Sequence, residues 1–347
     1  MRCLRVLVLA AVLPAAGCAS VDYLLHVSGG HLDVLAARRP IETVIADPAT
    51  SPALRARLAR VREMRRFAAE SLALPAAGSY HDYTDVGRDF VVWSVTAAPV
   101  LSLQAHRWCY PVIGCLSYRG YFDLAHANAE VERMRARGYD VYLAPVHAYS
   151  TLGWFDDPVL NTLMRGPEWY TASIIFHELT HARLYVPGDT AFNEAYAVAV
   201  QEEGERRWLA RYGDEPARAN HARYQRAQAA FLDAVNATRS QLLALYASAR
   251  PAADKLAAKA AAFRALRARY AGMRAQWGDY RGYDRWFGQD LNNAKLALIS
   301  TYNELVPRFT ALIEQVGGDM ESFHGEVARI ATLDKTARRV ALPRAPG

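Results

Sequence analysis

The chain has 347 residues, of which 52% are hydrophobic, so it is long and apolar enough to bury a large core. Its formal net charge is +6, but the basic side chains are scattered along helical stretches such as residues 264–274. Scattered charge is typical of solvated helix faces. Together with the export signal described next, it argues against a nucleic-acid partner.

The N-terminus has the pattern of a bacterial lipoprotein signal. Arg2 and Arg5 supply positive charge around the apolar residues 4–13, a stretch too short to span a bilayer. Small residues then lead to Cys18, as in a lipobox, the site at which such proteins are cleaved and diacylated. Ala19 is not the Asp of an inner-membrane retention signal. We therefore expect lipid on Cys18 and an outer-membrane anchor facing the periplasm. The alternative is an ordinary secretory signal with an incidental cysteine.

A small α+β unit is expected after a helical stretch that runs from Cys18 to about residue 75. β-branched and aromatic residues predict strands at residues 90–96, 101–108, 116–122 and 139–146. An amphipathic pattern that ends at Gly138 predicts a helix over residues 123–137. Strands interrupted by one helix indicate a compact layer directly before the remaining, helical part of the chain.

Two cysteines remain once Cys3 leaves with the signal and Cys18 takes lipid. Cys109 and Cys115 flank a short segment with Pro and Gly, which predicts a tight loop between strands. In an oxidising periplasm a disulfide closing that loop is expected. The alternative, a metal site, needs more ligands than His106 alone supplies.

From Pro167 onward the pattern is almost entirely helical. Before it, Asp156-Asp157-Pro158 predicts the start of a short helix. Two prolines and a glycine predict a loose tail after Ala337. The longer helices are expected near residues 169–186, 191–212, 215–249, 251–276, 289–315 and 319–331.

The most informative motif is HExxH at residues 177–181, inside the predicted helix 169–186. His177 and His181 lie four apart, so their imidazoles share one helix face and can bind one zinc ion at about 2.0–2.1 Å. Glu178 flanks that face, where a carboxylate can take a proton from a metal-bound water. The competing interpretation is an amphipathic helix whose histidines only pack or face solvent.

Zinc needs a third protein ligand, and the segment after the motif offers one. Pro187-Gly188-Asp189 ends the helix, Thr190 can cap the next, and Glu194 falls in its first turn. A helix–turn–helix can return Glu194 to the metal. A third histidine at the metzincin spacing is excluded, because Leu184 and Pro187 stand at the required Gly and His positions. The other acidic candidates for the third ligand are Asp189, Glu202, Glu203 and Glu205.

A sheet before an HExxH helix, with a glutamate on the following helix, resembles the gluzincin metallopeptidases. Over nearly all of the mature chain, the sequence is similar to a family of bacterial lipoproteins called putative aminopeptidases. The resemblance implies that His177, His181 and Glu194 bind one Zn²⁺, that Glu178 is the general base and that a peptide is the substrate. The stretches that carry it are residues 31–32, 39–41, 118–122, 150–155, 177–185, 192–194 and 302–307.

The amino terminus of a substrate needs an anion to hold it. Gluzincin aminopeptidases use the glutamate of a GxMEN strand, and nothing like it occurs before residue 177. The similar residues 318–322 lie far downstream, at a predicted helix start. Asp156 and Asp157 are candidates, and helix capping at Pro158 is their alternative role.

The oxyanion of a peptide-hydrolysis intermediate needs a hydrogen-bond donor besides the metal. Tyr302 is our candidate, because Asn292, Asn293 and Tyr302 put polar groups into a mostly apolar helix. Interhelical hydrogen bonding is the alternative role for these residues. The further candidate donors are Tyr149, Tyr196 and His147.

Together these patterns predict an α+β, mostly helical fold: a zincin-like small sheet with the HExxH helix, followed by a long C-terminal helical region. The expected function is zinc-dependent peptide hydrolysis by a lipid-anchored periplasmic aminopeptidase. The alternatives are a zinc endopeptidase and a lipid-anchored helical scaffold with a non-catalytic metal site, and the oligomeric state stays open. The expected segments are the signal peptide (1–17), an N-terminal helical segment (18–85), the catalytic core (86–213), the C-terminal helices (214–335) and the loose tail (336–347).

Overall fold

The computed structural model describes residues 14–75, 77–110, 114–148, 156–278, 280–299 and 305–344, with the backbone alone over residues 14–21. Most of these residues are helical, and the strands form small sheets. The predicted α+β, mostly helical fold is therefore confirmed. No helix in the described part of the chain is long and apolar enough to cross a bilayer.

Three helices open the described chain: α1 (Pro14–Ala36), α2 (Ile41–Ala46) and α3 (Pro52–Leu72). Helix α3 begins at Ser51, whose Oγ accepts a hydrogen bond from the Leu54 backbone N–H at 3.3 Å, with a proline in the first turn. It ends at Ala73 in the left-handed conformation. The apolar face of α3 then enters the main core.

The largest sheet has β3 (Val92–Pro99) between β6 (Arg119–Tyr121) and β7 (Tyr139–Val146), and both neighbours run antiparallel to it. Helix α4 (Leu124–Ala136) covers one face. It begins where Asp123 Oδ1 accepts from the His126 backbone N–H at 2.8 Å. The predictions for this helix and for the strand at residues 139–146 are confirmed.

Two smaller sheets flank this layer. In one, β2 (Asp82–Thr84) pairs antiparallel with β1 (Arg39–Pro40) and parallel with β8 (Val159–Leu160). The other is a hairpin of β4 (Trp108–Tyr110) and β5 (Gly114–Leu116). Cys109 and Cys115 lie directly opposite each other in that hairpin and form a disulfide.

Helices α5 (Glu168–Arg183) and α6 (Thr190–Tyr212) pack closely against each other and against α3. Gly204 makes this approach possible, because a Cβ there would lie 2.5 Å from Cδ2 of Phe176 on α5. The aromatic rings of Phe67, Phe176 and Trp208 fill the space between the three helices. The two helices that carry the candidate site therefore rest on a rigid core.

The C-terminal part consists of helices. Helices α7 (Glu215–Ala247) and α8 (Ala252–Gln276) pack together around a core of their own, and α10 (Asn293–Ile299) packs on β3 and β7. Helix α11 (Val306–Gln315) packs on α6, and α12 (Met320–Ala331) packs on α3. The remaining helices are α9 (Asp284–Gly288) and α13 (Lys335–Ala341).

Two predicted elements near the sheet are wrong. The expected strand at residues 101–108 is mostly irregular. It begins with a turn, in which the Ser102 backbone N–H donates to the Pro99 carbonyl at 3.1 Å, and Leu103 packs against the C-terminal helices. The expected helix at Pro158 is instead the start of β8, where the Tyr80 N–H donates to the Asp157 carbonyl at 2.7 Å. At Pro158, pairing of β8 with the distant strand β2 overrides the local helix-start pattern.

Two C-terminal predictions also need correction. The expected helix 289–315 is two helices, α10 and α11, and Pro307 lies in the first turn of α11, where proline favours a helix start. The expected loose tail contains helix α13, and both Arg338 and Leu342 are buried. Apolar and ionic contacts with residues far away in the sequence hold this segment.

Candidate metal centre

Helix α5 presents the two motif histidines on one side and apolar residues on the other. Ile175, Phe176 and Leu179 are buried in the main core. Four-residue spacing places His177 and His181 on the same face, with ring centroids 4.9 Å apart. His181 is 3% exposed, and His177 is also largely withdrawn from water.

Glu194 lies on α6 opposite these histidines. Its Oε2 lies 3.4 Å from Nε2 of His177, and its Oε1 lies 3.8 Å from Nε2 of His181. The two Nε2 atoms are 3.2 Å apart. Ligand atoms at about 2.0–2.1 Å from a tetrahedral zinc ion lie about 3.3–3.4 Å from one another. The nitrogen and carboxylate donors, and their separations, therefore fit one zinc ion.

The turn between α5 and α6 is held by Asn193, the residue before Glu194. The Asn193 Oδ1 accepts from the Val186 N–H, and its Nδ2 donates to the Val186 carbonyl, both at 2.8 Å. These two bonds tie the start of α6 to the chain that leaves α5. Glu194 is thereby held toward the histidines.

The other acidic candidates have different partners. Asp189 is 2% exposed and accepts two hydrogen bonds from Arg338. Glu203 pairs with Arg206 and Arg207. Glu205 accepts from Gln201 and contacts His221. Of the acidic candidates, Glu194 is the one that the structure brings to the histidines.

Glu202 does not join the group of His177, His181 and Glu194, and it lines a cavity of ≈ 330 Å³ with Gln201, Glu205 and Tyr224. Glu202 is exposed as a whole residue, but the protein atoms around its carboxylate, followed by the charge of Glu205, raise its pKa to about 7. This residue is a useful comparison for Glu194, because both are glutamates on α6.

The two histidines differ in their electrostatic environment. Burial lowers the pKa of His177, but hydrogen bonding to Glu194 and the charge of Glu178 outweigh it, and the net shift is upward. Burial and the neighbouring His177 lower the pKa of His181 to about 4. His181 is therefore a neutral imidazole at physiological pH, the form that binds a metal.

Glu178 is half-buried and follows His177 directly on α5. Its charge acts on His177, and it also contributes to the raised pKa values of Tyr80 and Tyr118, for which burial is the first cause. The charge of Glu178 therefore acts on His177 and on both tyrosines. A carboxylate there is suited to accept a proton.

Two tyrosines at this region were missed by the sequence reasoning. Burial, followed by the charges of Glu194 and Glu178, raises the pKa of Tyr118, and 41% of its surface is exposed. The ring of Tyr185 lies 6.2 Å from that of His181, and burial and the charge of Glu194 raise its pKa. Tyr185 follows His181 by four residues, and this helical spacing could have predicted from the sequence that the two side chains lie close together.

The structure places two of the predicted oxyanion donors elsewhere. Tyr196 is fully buried, with its hydroxyl 2.6 Å from Nδ1 of His324, in the core between α6 and α12. His147 packs on the ring of Phe90 at 4.9 Å. Tyr149 and Tyr302 lie outside the described residues.

The polar residues at the start of α10 have structural partners. Asn293 donates from Nδ2 to the Pro99 and Val100 carbonyls at 3.0 Å and accepts from the Tyr246 hydroxyl at 2.8 Å. Asn292 donates to the Val141 carbonyl at 2.9 Å. These bonds hold α10 against the sheet.

The two candidate residues for the substrate amino terminus lie before β8. Asp156 accepts a hydrogen bond from Arg38 through its backbone carbonyl at 3.2 Å. Asp157 is 4% exposed, and its charge acts on Tyr80, as does that of Glu178. Neither residue caps a helix. Cys18 lies in α1, and the description does not extend to its side chain.

A second group of potential ligands lies at the start of α4. His26, Asp123 and His126 approach one another, and the two rings stack at 4.4 Å. However, Nε2 of His26 accepts from the Phe122 N–H at 3.1 Å, so its Nδ1 carries the proton and faces Asp123. This arrangement is a hydrogen-bonded helix start and leaves His26 no lone pair for a metal.

Comparison with known proteins identifies one family. The family described as putative aminopeptidase matches residues 22–342, which include both α5 and α6 and nearly the whole described chain. No curated protein and no solved structure matches this chain. By this match, the chain belongs to the family of putative aminopeptidases.

Proposed function

We propose that this protein is a zinc metallopeptidase of the aminopeptidase type, with one zinc ion held by His177, His181 and Glu194. The observation that carries the proposal is the mutual approach of three ligand atoms from α5 and α6, with separations of 3.2, 3.4 and 3.8 Å, beside Glu178. A structural zinc site normally has four protein ligands, whereas a catalytic site has three and an open position. Three protein ligands within the described residues, with a neighbouring carboxylate, thus favour catalysis.

Zinc at this position supplies a Lewis acid that polarises the scissile carbonyl and makes water more acidic. Glu178 takes a proton from the attacking water and passes it to the leaving amine. Tyr118 joins Tyr302 as a candidate for the oxyanion donor, because the charges of both Glu178 and Glu194 act on its phenol. In this role Tyr118 donates its proton in a hydrogen bond to the developing negative charge.

The location of the enzyme is a separate proposal. Small residues before Cys18 favour cleavage and lipidation at that cysteine, and hence a periplasmic enzyme held at the outer membrane. Replacement Cys18→Ser is expected to abolish labelling with a palmitate analogue and to release the protein from the membrane fraction. Labelled, sedimenting Cys18→Ser protein would contradict the anchor, and it would leave the metallopeptidase proposal untouched.

The function is tested by metal analysis of the purified protein and by digestion of a peptide library read by mass spectrometry. We expect one zinc ion per chain and removal of single residues from the amino terminus. Internal cuts would favour a zinc endopeptidase. Zinc without cleavage of any peptide would favour a lipid-anchored scaffold with a non-catalytic metal site.

A further inference from the structure

A chain of hydrogen bonds leads from the proposed metal ligand His177 across α6 to α7. Nδ1 of His177 lies 3.1 Å from Oε1 of Gln201. Nε2 of Gln201 donates to Oε1 of Glu205 at 3.0 Å, and Oε2 of Glu205 lies 2.8 Å from Nε2 of His221. The chain thus joins three helices through four side chains. None of its members except His177 belongs to the motif that the sequence analysis identified.

The direction of every bond follows from Glu205. A carboxylate only accepts hydrogen bonds, so the amide nitrogen of Gln201 must face Glu205 and its carbonyl oxygen must face His177. Nδ1 of His177 is then the donor, and its proton is on the side away from Glu194. The lone pair of the neutral ring is therefore on Nε2, the atom that faces Glu194 and His181.

The residues around these hydrogen bonds hold the bonded side chains in place. Glu205 is 3% exposed and His221 is 7% exposed. The ring of Trp169 on α5 packs edge-on against His221 at 4.8 Å, and its indole N–H donates to Asn220 at 3.1 Å. Glu205 and His221 are therefore held in place by burial and packing, and Glu205 fixes the amide of Gln201, which is itself half-buried at the cavity wall.

His181 lacks an equivalent support in the described part of the chain, where its buried Nδ1 has no hydrogen-bond partner. The orientation of the ligand pair therefore depends on the His177 side. Metal-binding histidines usually donate their second N–H to a carboxylate, a backbone carbonyl or water, and loss of that partner typically costs 10–100-fold in metal affinity. Here the partner of His177 is the neutral amide of Gln201, and the carboxylate of Glu205 contacts that amide instead of the histidine.

We propose that Gln201 and Glu205 are positioning residues, which hold His177 in the tautomer and orientation that direct Nε2 to the metal. This inference rests on the proposed zinc site. It predicts that metal affinity depends on the pattern of donors and acceptors at residues 201 and 205, and not on the size of either side chain.

The first test is Gln201→Met, which keeps the length of the side chain and removes the acceptor. Gln228→Met is the matched control, because Gln228 lines the same cavity without belonging to the chain of bonds. Zinc affinity, measured by competition with a chromogenic chelator, is expected to fall about 10–100-fold in Gln201→Met. It should change less than about 3-fold in Gln228→Met, since a surface-type change away from the bonds has little effect.

The second test exchanges the two residues. Gln201→Glu alone places two carboxylates face to face and should weaken zinc binding. In the double variant Gln201→Glu with Glu205→Gln, residue 205 can donate to the new carboxylate and accept from His221, and the new carboxylate accepts from His177. All three bonds are restored, so zinc affinity should return to within about 3-fold of wild type or become tighter, because a direct carboxylate partner increases ligand basicity.

Readouts other than activity separate positioning from general stability. The visible spectrum of the Co²⁺-substituted protein should change in Gln201→Met and return in the exchanged pair. A purely structural role predicts instead a lower unfolding temperature of the metal-free protein with unchanged zinc affinity, and that result would overturn the inference. Wild-type protein that binds no zinc would contradict the proposed function itself. Wild-type binding that Gln201→Met leaves unchanged would contradict only the positioning role.

Discussion

The guanidinium group of Arg338 on α13 donates two hydrogen bonds, at 2.9 and 3.1 Å, to Oδ2 of Asp189, the residue directly before α6. Both side chains are buried, and 149 residues separate them. The last helix of the chain thereby fixes the turn from which α6 and Glu194 begin. Because Asp189 accepts both hydrogen bonds from Arg338, we exclude Asp189 as a metal ligand.

Arg338→Met is expected to lower the free energy of unfolding by about 3–5 kcal/mol, because it leaves the carboxylate of Asp189 buried without its main partner. Urea unfolding of the metal-free protein measures the effect. The control is Arg339→Met, since Arg339 makes no ion pair in the described part of the chain, and it should cost no more than about 0.5 kcal/mol. Equal losses in the two variants would contradict a structural role for the pair.

Removal of any proposed ligand should abolish stoichiometric zinc. We expect His177→Ala, His181→Ala and Glu194→Ala each to lose the metal on dialysis, because two remaining protein ligands hold zinc poorly. Glu202→Ala on the same helix is the control and should keep one zinc ion per chain. Elemental analysis by mass spectrometry measures the content. One zinc ion per chain in Glu194→Ala would show that the third ligand is a different residue.

Glu178→Gln separates binding from chemistry. The amide keeps the size and much of the hydrogen bonding of the side chain but cannot serve as a base. Zinc should stay bound while kcat for peptide hydrolysis falls by roughly 10²–10⁴-fold. Steady-state kinetics on a peptide that the wild type cleaves measures the loss. Unchanged kcat in a zinc-loaded Glu178→Gln protein would exclude Glu178 as the general base.

Tyr118→Phe tests the proposed oxyanion donor. Loss of one such donor typically lowers kcat by about 10²–10³-fold, and the zinc content should stay the same. Tyr185→Phe is the matched comparison, because this exposed tyrosine also lies near Glu194 but contacts His181 by its ring. We expect a smaller loss there, below about 10-fold in kcat. The reverse order of effects would assign the oxyanion role to Tyr185.

Elements with strong local patterns could be predicted from the sequence, whereas those shaped by distant contacts could not. The strand at residues 139–146 follows from its β-branched and aromatic content, and the helix at residues 124–136 follows from an amphipathic pattern that ends at Gly138; both signals are local. The segment 101–108 is mostly irregular instead, because Leu103 packs against the C-terminal helices. Local composition carries no information about such a partner.

That His177 and His181 share one helix face, with Glu178 beside them, follows from the sequence alone, because helical periodicity is a property of neighbouring residues. The acidic residue opposite them is known only from the folded arrangement of α5 and α6. Asp189 pairs with Arg338, Glu203 pairs with arginines on its own helix, and Glu205 contacts His221. Glu194 is the acidic candidate that contacts the motif histidines. The support of His177 by Gln201 and the approach of Tyr118 also belong to the tertiary structure. Such pairings join residues far apart in the sequence, and their energies come from burial and geometry that no local pattern contains.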